Sequence, residues 1–301
     1  MSINNGRVVI ITGAARGLGR EHALAFAASG AKVVVNDIGT SLAGDGTSAG
    51  PAEEVAAEIR AAGGEAIANT DDVADFDACG NIVKQALDTW GRLDVVVNNA
   101  GVLRDRMFVS SSLDEWDAVM HVHLRGHYGI ARHACAYWRL ESKAGRQPDA
   151  RIINTSSGAG LQGSVGQSAY ACAKGGIAAL TLVQAAELVR YGVTSNAIAP
   201  AARTRMTEGV FAGMMAKPED GSFDAMHPGN VSPLLVWLGS PEAAKVTGRI
   251  FEVAGGKISL ADGWRTGPEV DKNNRWDPAE LGPVIHDLIE RAVPPQKVYG
   301  T

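Results

Sequence analysis

The chain has 301 residues, 46% of them hydrophobic and 20% charged, which is enough apolar side chain to bury a sizeable core. Its 28 Lys and Arg against 33 Asp and Glu leave a net charge of −5, and duplex-binding proteins carry a basic surplus, so nucleic acid is a poor partner. Cys79, Cys135 and Cys172 stand far apart with no paired spacing, which argues against a disulfide scaffold or structural zinc and for a reducing compartment.

Short β-branched runs alternate with longer Ala- and Leu-rich segments. Strands are predicted at Arg7 to Thr12, Ala31 to Asn36, Glu65 to Thr70, Leu93 to Asn98, Arg151 to Thr155, Val193 to Ile198 and Arg249 to Val253. Helices are predicted at Leu18 to Ser29, Ala52 to Ala62, up to about Trp90, Leu113 to about Leu140, Ala169 to Tyr191 and near Ser232 to Leu238. Unbroken Val/Ile runs, rather than alternating ones, mean strands covered on both faces. The pattern predicts a single α/β domain, a Rossmann-type doubly wound parallel sheet of about seven strands with helices on both faces. The core spans 7–256.

Three stretches depart from the alternation. Gly39 to Gly50 is a small-residue loop, and 201–230 follows the sixth strand without strand character. Residues 257–301 form a polar extension in which Asp277, Pro278 and Glu280 mark a helix start. Val284, Ile285, Leu288 and Ile289 make one apolar face of that helix, expected to pack on the domain. The N-terminus MSINNGRVVI lacks the pattern of a signal peptide. No uninterrupted apolar stretch approaches the roughly 18–20 residues of a membrane span. The expectation is a cytoplasmic protein without a membrane partner.

Two constellations carry chemistry. Gly13, Arg16, Gly17, Leu18 and Gly19 lie between the first strand and first helix, where glycines let a pyrophosphate approach the helix N-terminus. Asp37 ends the second strand, 18 residues past Gly19. A carboxylate there accepts from an adenosine ribose and repels a 2′-phosphate, favouring NAD over NADP. Arg16 pulls the other way, and the like charge of Asp37 outweighs it. Downstream, Tyr170 and Lys174 stand one helical turn apart, with Ser157 13 residues upstream and Asn98-Asn99-Ala100-Gly101 ending the fourth strand. A Tyr-x-x-x-Lys pair alone is commonly a surface pair. The joint spacing is not.

These motifs, with Asp72 and Val73, resemble the short-chain dehydrogenase/reductase family over residues 7 to about 256. The resemblance implies that Tyr170 moves the substrate hydroxyl proton, with its ordinary pKa near ~10 depressed by Lys174. It implies that Ser157 orients the reacting oxygen and that Lys174 holds the nicotinamide ribose. Asn99, Ala100 and Gly101 would line the cofactor, while Asp72 and Val73 flank adenine. His123 stands where the family usually has Asn, as a relay of protons or as a structural helix residue. Pro200-Ala201 replaces the usual Pro-Gly, which loosens what the following loop does to nicotinamide.

Within the family, VVVNDIG, GVLRDRMF, HVHLRGHY and NAIAPAARTRMT resemble the (3R)-hydroxyacyl-CoA dehydrogenase branch found in peroxisomal multifunctional enzyme type 2, or 17β-hydroxysteroid dehydrogenase type 4. That implies an acyl-CoA or steroid substrate, with a free 17β-hydroxysteroid or other secondary alcohol, or a 3-oxoacyl carrier-protein, as alternatives. A catalytically idle NAD-binding scaffold is the alternative of another class. Arg104, Arg106, Arg203 and Arg205 are candidates for CoA phosphates or plain surface. Met206, Phe211, Met214, Met215 and Phe223 form either an acyl lid or ordinary packing. His22, His121, His127 and His133 show no metal-ligand pattern, so no metal is assigned. The family's habit implies a homodimer or homotetramer through the helices at 113–140 and 169–191.

Overall fold

Strands β1 (Val8–Thr12), β2 (Lys32–Asn36), β3 (Glu65–Asn69), β4 (Val95–Asn98), β5 (Ala150–Thr155), β6 (Val193–Ala201) and β7 (Ile250–Ala254) pair in parallel in the order 3-2-1-4-5-6-7. An eighth, β8 (Lys257–Leu260), closes the edge antiparallel to β7. The computed structural model describes residues 2–39, 50–204 and 216–301. Strand order reverses between β1 and β4, which opens a crevice at their carboxyl ends, where ligands bind in such sheets.

Helices cover both faces because each central strand is apolar on both sides. Val9, Ile11, Val33, Val35, Val95 and Val97 point to the layer of α1 (Gly17–Ala28), α2 (Gly50–Ala61) and α8 (Ser232–Leu238), with Phe26 and Leu235 fully buried. Val8, Ile10, Val34, Val96 and Ile152 face α3 (Phe76–Trp90) and α5 (Gly126–Lys143), around Ile82, Ile130 and Trp138. Both sets are continuous hydrophobic layers, so alternate residues of one strand anchor opposite faces.

The structure departs from the sequence reading at four places. The long helix expected from Leu113 is α4 (Leu113–Met120), a π-turn over His121–Arg125, and then α5. Residues 257–260, read as polar tail, supply β8 by hairpin pairing with β7. In α9 (Leu281–Arg291), Ile285 and Ile289 are exposed, and Val284 and Leu288 are only half-buried. The apolar face therefore does not pack on the domain, because the chain leaves the sheet edge after β8 and α9 rests chiefly on its own leading turn. Last, Ser168–Tyr191 is long and apolar enough, with mean hydropathy 1.3, to cross a membrane by length and composition. It consists of α7 (Ser168–Leu188) and one 3-10 turn, packed on β6 and on α6 (Gly158–Gln162), and it buries Lys174. A buried ammonium on a sheet-packed face identifies a core helix.

Candidate active site

The first wall of the crevice is the turn from β1 into α1. Gly13 and Gly17 adopt φ of +62° and +52°, where a side chain is strained. A Cβ on Gly13 would stand 2.8 Å from Ala100 Cα, and one on Gly19 would overlap the Gly13 carbonyl oxygen. Thr12 Oγ1 accepts from Asn99 N (3.0 Å) and Ala100 N (3.1 Å), and Asn99 Nδ2 donates to Thr12 O (3.0 Å). These bonds lock the β1 and β4 turns into one rigid floor. Arg16, at the N-cap of α1, gives no capping side chain, so the first helical N–H groups lack the usual cap.

Asp37 extends from the end of β2 into the same crevice. Its Oδ2 accepts from Ala15 N (3.0 Å) and its Oδ1 from Gly39 N (2.8 Å). It therefore does two things: it braces the Gly-rich turn and presents a carboxylate beside it. Asp72, Val73 and Gly101 line the cleft with Gly13, Arg16, Gly17, Leu18 and Gly19. These residues fit a dinucleotide: the floor admits no Cβ, and an uncapped helix N-terminus faces it.

At the far end of the cleft, Ser157, Tyr170 and Lys174 converge. Ser157 caps α6, accepting from Ala159 N (3.2 Å), and its hydroxyl lies near enough to the Tyr170 phenol to pull its pKa down. Lys174 Nζ donates to Thr155 O (2.6 Å) and lies 5.6 Å from the Tyr170 ring centroid. The Lys174 main chain is clamped as well, because Ser156 Oγ donates to its carbonyl (2.8 Å). Gly160 admits α7 closely: a Cβ there would stand 2.6 Å from Lys174 Cβ and Gly175 N.

Burial pushes the Tyr170 phenol above its ordinary range, against the pull of the Ser157 hydroxyl. It pushes the Lys174 ammonium down to about 7. The sequence reading expected a depressed phenol. In the folded chain desolvation is the largest influence on the phenol, and the Lys174 nitrogen donates to Thr155 O.

His123 sits in the π-turn, fully buried, edge-on to the Tyr170 ring at 5.2 Å between centroids. Its Nε2 lies 2.8 Å from Val102 O and 3.1 Å from Val102 N, and its buried Nδ1 has no partner. Burial holds the ring far below its usual pKa, at about 3, with the Lys174 charge acting in the same direction. The π-turn aims this ring, and nothing in a continuous helical pattern announces it. Sequence reasoning also missed a buried polar chain: Asn98 Nδ2 donates to Asn154 Oδ1 (3.0 Å), and Asn154 Nδ2 donates to Thr181 Oγ1 and Gln184 Oε1 (2.9 Å each). It ties β4 and β5 to α7 and so sets the height of the Tyr170 helix against the floor.

His22 is likewise held at about 3 by burial. Between about 3 and the ordinary 6.5 the unfolded chain binds protons at His22 and His123 that the folded chain does not. Their stabilising effect is therefore complete above pH 6.5 and lost as pH falls, at up to ~1.4 kcal/mol per pH unit for each. Melting temperature should drop from pH 6.5 to 5, and more shallowly in His123→Asn. Equal slopes in thermal melts of the two proteins would refute this.

Other candidates are placed apart. Arg106 pairs with Glu115 (2.9 Å) and Arg203 with Asp224, while Arg104 donates to Leu103 O (3.1 Å). Phe223 is exposed. Arg205, Met206, Phe211, Met214 and Met215 lie outside the described residues. Among the described residues no group of three His, Cys, Asp or Glu side chains could hold a metal.

A family profile described as short chain dehydrogenase matches residues 7–214. The chain is similar to hydroxyacyl-CoA dehydrogenase ChsB1 of Mycobacterium tuberculosis, 42% identical over 304 residues, covering 99% of this chain and 93% of that one. It is 44% identical over 272 residues to peroxisomal multifunctional enzyme type 2 of Mus musculus, covering 90% of this chain and 35% of that longer protein. Among solved structures, that of a short chain dehydrogenase from Mycobacterium avium matches with a TM-score of 0.90 at 61% identity, covering 99% of this chain and 100% of that one.

Proposed function

The chain belongs to the short-chain dehydrogenase family of oxidoreductases, and on that premise we propose that it oxidises the 3-hydroxyl of a (3R)-hydroxyacyl-CoA, of fatty-acyl or steroid side-chain type, with NAD. The observation that carries the reading is the convergence of Ser157, Tyr170 and a buried Lys174 at one end of the Gly-rich cleft that Asp37 borders. The substrate class is supported by similarity over nearly the whole chain to a hydroxyacyl-CoA dehydrogenase.

The turn through Gly13, Gly17 and Gly19 would hold the pyrophosphate against α1, and Asp37 the adenosine ribose. Asp72 and Val73 would flank adenine, Asn99, Ala100 and Gly101 would line the cofactor, and Lys174 would hold the nicotinamide ribose. The bound nicotinamide supplies the hydride acceptor in oxidation and the donor in reduction. Tyr170 Oη takes the substrate hydroxyl proton in oxidation and returns it in reduction. Ser157 Oγ hydrogen-bonds the reacting oxygen and fixes its direction. A Lys174 cation favours the phenolate, against the burial that disfavours the charged form of each group. We assign His123 a positioning role: its ring props Val102 and the edge of Tyr170, and a neutral imidazole is a poor proton relay.

We also propose a homodimer or homotetramer in a reducing cytoplasm. Exposed Leu182 and Val183 on α7 and Tyr128 and Leu140 on α5 support the first, and three free cysteines the second. Sedimentation showing a monomer alone would refute the assembly.

The test is NADH formation with NAD, or NADPH formation with NADP, on three substrates: a medium-chain (3R)-hydroxyacyl-CoA, a sterol-side-chain hydroxyacyl-CoA and a free 17β-hydroxysteroid. Turnover of a CoA ester with NAD is expected. Turnover of the free steroid alone would remove the CoA assignment and leave the mechanism. Replacing Asp37 with Ser should cut the preference for NAD over NADP by at least about tenfold, read as the ratio of kcat/KM values. An unchanged ratio would take Asp37 out of cofactor selection.

A further inference from the structure

The end of the chain returns to the segment between Ser157 and Tyr170. Tyr299 N donates to Gly163 O (3.2 Å), Val165 N donates to Tyr299 O (2.9 Å), and Ser164 pairs with Tyr299 as a parallel bridge. Val298 packs toward Gly163, and Gly300 toward Val165. Main-chain hydrogen bonds hold Tyr299 to this segment on both its N–H and its carbonyl. The approximately forty residues from Leu260 to Tyr299 bury little of themselves, so their ordered end is not explained by core formation.

The bridge lays the Tyr299 ring over Gly158, the residue after Ser157. A Cβ on Gly158 would stand 2.5 Å from Tyr299 Oη and 2.9 Å from Cε2, and the nearest atoms it meets are all from Tyr299. Gly158 is not among the positive-φ glycines, so backbone conformation does not demand glycine there. Room for the Tyr299 ring does. Tyr299 remains 43% exposed, and Val165, bonded to it through the main chain, is 45% exposed, so apolar surface adjoins it. Tyr299 is not among the residues lining the Gly-rich cleft; its ring covers the residue that follows Ser157.

We propose that Tyr299 is a substrate-positioning residue whose ring forms the wall against which the apolar acyl portion lies next to the reacting carbon. This rests on the hydroxyacyl-CoA reading. The acyl chain enters beside Ser157, and the ring, held by two main-chain hydrogen bonds and by the absence of a side chain at 158, limits where it can lie. An aromatic ring suits this because it gives a broad apolar face with few rotamers to freeze.

The experiment uses the full chain, with Tyr299→Ala, Tyr299→Phe, Gly158→Ala and the Gly158→Ala/Tyr299→Ala pair, assayed with a (3R)-hydroxyacyl-CoA. Tyr299→Ala should lower kcat/KM at least about tenfold, mainly through KM, with NADH affinity by fluorescence titration unchanged. Tyr299→Phe keeps the ring and should keep KM. Gly158→Ala should raise KM in the parent chain by displacing the ring, and much less in the Tyr299→Ala background, where the methyl has room. An unchanged KM in Tyr299→Ala overturns the proposal, and so does an equal cost of Gly158→Ala in both backgrounds. If the parent chain turns over no CoA ester, the substrate reading fails and takes the acyl contact with it. Turnover in the parent with an unmoved KM in the variants removes Tyr299 alone.

Discussion

Tyr170→Phe is expected to lose at least about a thousandfold in kcat while still binding NADH within a few-fold of the parent chain. The substitution removes one oxygen and little else. The ring keeps its edge-on contact with His123 and its place beside Lys174, so the fold of α7 is undisturbed. What goes is the phenol oxygen, the atom that carries the proton. Because burial raises the Tyr170 phenol, the group is protonated at neutral pH in the free chain, and oxidation should speed up as pH rises through its titration. Steady-state rates from pH 6 to 10 for the parent and Tyr170→Phe, together with NADH titration, check both points. Retained turnover in Tyr170→Phe would remove the phenol from the mechanism.

Gly19→Ala carries the second large effect. Its methyl would overlap the Gly13 carbonyl oxygen and stand 2.7 Å from Asn99 Nδ2, so relief requires moving main chain rather than a flexible side chain. Overpacking of this kind costs ~1–3 kcal/mol, and here it falls on the floor shared by β1 and β4. NADH affinity should fall by about a hundredfold and the melting temperature by several degrees. Gly256→Ala is the control, since it has no atom within 4 Å of the added Cβ and should change neither. Equal behaviour of the two variants in titration and melting would show that the turn has slack.

The elements that were readable from sequence share one property: local signals agree with the tertiary outcome. Val8 to Thr12 is an apolar run that ends in glycines, and it forms a buried strand leading into a tight turn. Ser232–Leu238 appears where the apolar spacing puts it. Asp277 caps its turn through a capping box with Glu280. The π-turn at His121–Arg125 was hidden because its residues read as ordinary helix, and only the pull of His123 toward Val102 accompanies the extra residue in that turn. The exposed α9 face was misread for a related reason: amphipathicity states that a face is apolar but not what covers it.

Residue order alone determined the alternating architecture, the Gly-rich turn, and the candidacy of Asp37, Ser157, Tyr170 and Lys174, because these depend on residue type at short, regular separations. Only the tertiary structure decided the electrostatics and the neighbours. Burial raises Tyr170 and lowers Lys174, Asn98 and Asn154 lock the strands to α7, and Tyr299 arrives from more than a hundred residues away to lie over Gly158. Desolvation and long-range contact are properties of the packed chain, and no local pattern encodes them.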